Sequence, residues 1–156
     1  MAPMKKRAAD VRTEFLEELA VASRKMRTLF DARVRAKGLT LARARTLMNL
    51  ARKDGMTQSE LAEILEIEGP TLVRLLDGLE AQGLTRRQPV EGDRRAKQIA
   101  LTDAGRERAT EVTRLAETLR EDVLVGIPEA DLLSATRIVR AITERIAATG
   151  CETNAA

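Results

Sequence analysis

The sequence predicts a mainly helical fold that carries one small β-hairpin. Three observations predict it. Apolar residues recur at steps of three and four along most of the 156 residues. That period gives way only between Leu84 and Leu101, where two short strand-like runs flank a loop over Pro89–Arg95. Aromatic residues are nearly absent, with Phe15 and Phe30 the only two, so a core has to be packed from Leu, Ile, Val, Ala and Met, which suits helices.

The first helix is expected from about Asp10 to Lys37. Phe15, Leu19, Ala22, Met26, Leu29 and Arg33 mark one stripe, widened by Leu16, Phe30 and Val34, and Gly38 supplies a C-terminal cap. Thr40 caps a second helix with Leu41, Ala44, Leu47, Met48 and Ala51 on its apolar side, ending near Asp54-Gly55. Thr57 and Glu60 have the spacing of a capping box, opening a short helix that buries Leu61, Ala62, Ile64 and Leu65. Glu66 to Gly69 makes a tight turn. Pro70 fits the first position of the next helix, which buries Leu72, Val73, Leu75, Leu76 and Leu79 and ends at Gly83.

The strands are expected at Leu84–Gln88 and Ala96–Leu101. Thr102 then caps a helix with Ala109, Val112, Leu115, Leu119 and Val123 on one side, broken at Gly126-Ile127-Pro128. The last helix carries Leu132, Ala135, Val139, Ile142 and Ile146. The order over 40–102 is that of a winged helix-turn-helix. Residues 10–37 and 103–147 form long amphipathic helices around it, and 1–9 and 148–156 are flexible tails. The small winged unit cannot cover three long apolar stripes, so two chains are expected to interleave their terminal helices as a homodimer.

Composition narrows the function. There is no histidine and one cysteine, Cys151, so an internal disulfide, a Ser-His-Asp or Cys-His pair and the common zinc ligand sets cannot be assembled. Neither a glycine-rich phosphate loop nor any cofactor motif is present. The expectation is a non-enzyme without a cofactor. No apolar run reaches the ~18 residues of a membrane span, and no apolar segment follows the basic start, so the chain is read as cytoplasmic. Net charge is only +3, but its distribution is banded: 24–53 holds ten Lys or Arg against Asp31, and 84–98 holds five against Glu91 and Asp93. Such banding gives one face a field that attracts phosphates.

In a helix-turn-helix the second helix reads the major groove. Its buried residues leave Thr71, Arg74 and Gly78 on the other side, three and four apart. Arg74 has the planar fork that donates two hydrogen bonds to a guanine edge, and Thr71 suits a phosphate or a thymine methyl. In the hairpin, Gly92 allows reversal, Asp93 holds an arginine, and Arg94 or Arg95 reaches the minor groove. Arg86, Arg87 and Lys97 suit backbone phosphates. The expected partner is double-stranded DNA with a palindromic site.

The run PTLVRLLDGLEAQGLTRRQPVEGDRRAKQIALTDAG resembles the signature of the MarR family of bacterial transcription regulators, with PTLVRLLDGLE and DRRAKQIALT similar to its SlyA-like branch. The match is specific from about Gly38 to Gly105. The resemblance implies a homodimeric winged helix-turn-helix regulator joined through its terminal helices. By it Pro70, Thr71 and Arg74 map to the major-groove reader, and Asp93, Arg94 and Arg95 to the wing. It also implies, as for many members, release of DNA when a small aromatic or anionic acid binds between the dimer helices and the winged unit; Arg24, Arg27 and Arg95 are the candidates to meet its carboxylate. Two departures stand against the family pattern. The pocket region has almost no aromatic residue to stack on a phenolic ring, and the N-terminal helix lacks the cysteine that oxidant-sensing members use.

The reading is therefore a sequence-specific DNA-binding regulator, most simply a repressor. The alternative is a winged-helix module used for protein–protein contact, against which Arg74, Arg94 and Arg95 speak.

Overall fold

The computed structural model describes residues 8–90 and 93–153, and among these the side chains of 10–89 and 97–149. Six helices and three strands follow in the order α1 (Ala8–Arg35), α2 (Leu41–Arg52), β1 (Met56–Thr57), α3 (Gln58–Leu65), α4 (Gly69–Ala81), β2 (Thr85–Val90), β3 (Asp93–Leu101), α5 (Asp103–Leu124) and α6 (Glu129–Thr153). The described residues form two compact units, one up to Leu119 and one from Arg120. Of the expected tails, 1–7 and 154–156 lie outside the described residues. The last helix runs on to Thr153, past its final apolar marker Ile146, because a helical backbone needs no apolar side chain to continue.

Local chemistry sets the element ends. Gly38 adopts φ 76°, which lets Leu39 N–H bond back to Val34 O at 3.1 Å and closes α1. The Thr40 side chain accepts from Arg43 N–H at the start of α2. Thr57 and Glu60 form the reciprocal capping box of α3. Glu66, at φ 55°, is the left-handed residue that ends α3. Pro70 occupies the second position of α4, not the first, because Gly69 opens the helix; its missing N–H still falls in the turn where amides have no acceptor within the helix.

The core of the first unit is aliphatic. Leu47 and Leu50 of α2, Leu61 and Leu65 of α3, Leu72, Leu76 and Leu79 of α4, Ile99 and Leu101 of β3, and Val34, Ala109 and Val112 pack into one cluster. Ala51, expected on the apolar side of α2, is exposed, and in α3 and α4 two residues expected in the core are outside it: Ile64 is 41% exposed and Val73 is 43% exposed. Each lies about 100° around its helix from an inward leucine, and the leucines already fill the contact.

The sheet is antiparallel in the order β1-β3-β2. The two-residue β1 is too short to leave a periodic signal in sequence. Thr85, Arg87, Ile99 and Leu101 share the face turned to the helices, and Arg86, Gln88, Gln98 and Ala100 share the other. Both long strands exceed their expected ends, since ladder bonds do not depend on apolar side chains, and the register shifts between Pro89 and Val90.

In α5, Ala109, Val112 and Leu119 are buried as the stripe predicts. The terminal helices differ. In α1, Phe15, Leu16, Met26 and Leu29 are exposed, and in α6 Leu133 (58%), Ile138 and Ile146 (67%) are exposed. No helix among the described residues is long and apolar enough to cross a membrane.

Candidate nucleic-acid interface

The helix-turn-helix is α3, the turn at 66–68 and α4. Burial of Leu72, Leu76 and Leu79 fixes the rotation of α4. Gly69, Pro70, Thr71 and Arg74 are consequently exposed at its N-terminal half. Among the described residues nothing pairs with the Arg74 guanidinium, and Asp77, one turn away, is committed elsewhere.

Asp77 is bound by Arg87. The Arg87 Nη2 donates to Asp77 Oδ1 at 2.6 Å, its Nη1 donates to Glu80, and its backbone N–H donates to Glu80 Oε1 at 3.2 Å. The hydrogen bond to Asp77 raises the guanidinium pKa above its ordinary value, burial opposes this, and Glu80 adds to the rise. This geometry turns the Arg87 guanidinium, expected to meet a phosphate, towards α4 instead. Its side chain faces the helices, is 21% exposed, and has both ends of its guanidinium occupied.

Arg86 points the other way. With the Gln88 amide oxygen turned towards it, Arg86 donates to that oxygen from Nε at 2.5 Å and Nη2 at 2.9 Å. These two residues line an open, polar hollow of about 280 Å³ with Asp54, Gln98 and Arg106. Arg86 remains exposed and carries no carboxylate partner among the described residues. Lys97 is also exposed, opposite Pro89. The backbone of Asp93, Arg94 and Arg95 begins β3. The side chains of these three, and Glu91 and Gly92 altogether, lie outside the described residues, so the wing-tip expectations stand where the sequence left them.

The ligand candidates separate. Arg27 lines a hollow of about 400 Å³ at the junction of α1 and α2, with Thr28, Asp31, Arg35 and Thr40. Arg35 holds Asp31 at 2.7 Å. Arg24 lies one turn earlier and does not line the hollow; its carbonyl accepts from Thr28 Oγ1 at 3.0 Å. No aromatic residue lines this space.

One neighbour of α4 left no sequence motif. Gly78 has no side chain, and the Arg43 guanidinium of α2 lies there: an ideal Cβ at Gly78 would come within 2.6 Å of Arg43 Nη2. A glycine in a helix interior, poor in helix propensity, is the only local sign of this contact.

A MarR family model matches residues 37–96, from the turn before α2 into β3. Among solved structures, the transcriptional regulator PA3341 is 43% identical over a match covering 85% of this chain and 97% of that chain, with a TM-score of 0.78. A Staphylococcus aureus MepR–DNA complex matches at 23% identity, 85% and 97% coverage and a TM-score of 0.73. A putative MarR family regulator from Listeria monocytogenes complexed with 26mer DNA matches at 23% identity, 85% and 88% coverage and a TM-score of 0.75. These last two share the fold. With the matched segment spanning the helix-turn-helix and the longer match extending over nearly all of PA3341, the chain belongs to the MarR family of transcriptional regulators.

Proposed function

We propose that two copies of this chain form a dimer that binds a palindromic duplex and represses transcription by occupying it. Pro70, Thr71 and Arg74 enter the major groove. Arg86 and Lys97 meet backbone phosphates, and Asp93 with Arg94 and Arg95 forms the wing that reaches the minor groove. Arg87 acts inside the protein as a brace. The observation that carries this reading is Arg74, an exposed guanidinium with no described partner on the outward side of α4.

The dimer is supported by the apolar side chains on α1 and on α6 that are exposed among the described residues. Two reading helices about one duplex turn apart, ~34 Å, then fall on successive half-sites. The MepR and Listeria regulators, which share the fold, were both captured with DNA. A small carboxylate entering the hollow beside Arg27 would press on the α1–α2 junction and change that spacing, which is how an effector would relieve repression.

The test is a gel shift with the DNA upstream of the chain's own gene, at low salt, with and without benzoate. Retardation by a two-chain species, relieved by benzoate, is the expected result. Absence of retardation at low salt would overturn DNA binding and favour a protein-binding module.

A further inference from the structure

Arg43 occupies a place that its own chain does not explain. It lies in the first turn of α2, three residues after the capping Thr40, which accepts from its backbone N–H at 3.3 Å. The helix dipole is positive there and disfavours a cation, and no acidic residue is present in that turn. Among the described residues no carboxylate pairs with its guanidinium. The side chain nevertheless has a seat, the bare backbone at Gly78, where Nη2, Cζ and Nε lie 2.6, 3.5 and 3.7 Å from an ideal Cβ position.

That seat belongs to the reading helix. Gly78 is one turn beyond Arg74 and two turns beyond Thr71, on the same side of α4. On the flank of α4 with Asp77 and Glu80, Arg87 offsets one of the two negative charges, whereas at Gly78 the Arg43 guanidinium brings a positive charge with no carboxylate partner among the described residues. A partly exposed guanidinium with no carboxylate partner among the described residues is free to meet an external anion. Beside a helix lying in the major groove, the external anion is a DNA phosphate.

We infer that Arg43, seated on Gly78, is a DNA phosphate contact that flanks the reading helix and sets its depth in the groove. The inference rests on the DNA-binding reading above. Gly78 serves it by leaving the guanidinium room.

The experiment uses the full chain and a duplex selected by the wild-type protein from random-sequence DNA, with an unselected duplex as reference. Affinities are read by fluorescence anisotropy between about 50 and 200 mM salt. Arg43→Ala is expected to weaken both duplexes by about tenfold and to flatten the log–log salt slope by roughly two per dimer, one phosphate from each chain. Arg43→Lys keeps the slope. Gly78→Ala pushes the guanidinium away, so it weakens binding in the same direction, adds nothing to Arg43→Ala, and leaves the melting temperature no lower than that of the wild type. Wild-type affinity and slope in Arg43→Ala, or normal binding by Gly78→Ala, overturns the inference while leaving DNA binding intact. If the wild-type protein enriches no duplex, the DNA-binding reading fails first and this one with it.

Discussion

Arg87 on β2 and Asp77 on α4 form a 2.6 Å ion pair that ties the wing to the reading helix, and Glu80 takes the other nitrogen of the same guanidinium. Without Arg87, two carboxylates on α4 would face a polyanion. On the proposed reading Arg87 works by offsetting one of those two charges and by fixing the angle between helix and hairpin. Asp77 is largely exposed, so solvent screens the pair, and Arg87→Ala is expected to cost only about 1 kcal/mol in chemical denaturation. Its effect on DNA should be larger, lowering affinity for any duplex while the salt slope stays near that of the wild type. A flattened slope would mean that Arg87 touches phosphate after all.

Arg74 and Arg86 are predicted to fail differently. A bidentate contact to a base carries about 1–3 kcal/mol of discrimination. Arg74→Ala should therefore lose roughly tenfold or more against a selected duplex and little against random DNA. Arg86→Ala should weaken both by similar factors and flatten the salt slope by about one for each chain. Anisotropy titrations on the two duplexes check this, and equal behaviour of the two variants would sink the division of roles.

The contrast between these arginines shows where sequence reasoning stops. Periodicity and capping residues place α2 to α5 well, since Thr40, Thr57, Gly38 and Thr102 act through neighbours a few residues away. Strand alternation also says that Arg86 and Arg87 face opposite ways. It does not say which face meets α4, because that depends on the packing of Ile99 and Leu101. The same holds for Arg43 and Gly78, whose contact joins two helices distant in sequence. Ile64 and Val73 are exposed although their spacing suggests burial, because an apolar side chain beside a leucine stripe resembles part of it. The strand β1 is held by its partner Ile99, which no local pattern announces.

Gly105 is predicted to be intolerant of any side chain. A Cβ there would lie 1.9 Å from Leu84 O. That carbonyl cannot easily retreat, since it accepts from Thr102 N–H at 3.1 Å, while the Thr102 hydroxyl donates to Gly83 O and accepts from Gly105 N–H. Alanine raises helix propensity, so a gain in stability is what the helix alone would give. Overpacking against backbone outweighs it, and Gly105→Ala should cost on the order of 2–4 kcal/mol in a denaturant titration. An unchanged midpoint would contradict the close approach.

The capping box of α3 should make stability depend on acidity. Lys53 Nζ donates to Glu60 at 2.6 Å, and the Thr57 N–H and hydroxyl donate at 2.8 and 3.1 Å. Led by the Lys53 bond, these hold the Glu60 pKa at about 2 instead of the ordinary 4.5. A folded-state pKa below the unfolded one means that the ionised carboxylate stabilises the fold above about pH 4.5, and that this contribution disappears as pH falls towards about 2. Glu60→Gln keeps an acceptor but cannot ionise. Melting temperatures of the two proteins should differ at neutral pH and converge through that acidic window. A difference that stays constant across it would show that the carboxylate charge is not what the cap uses.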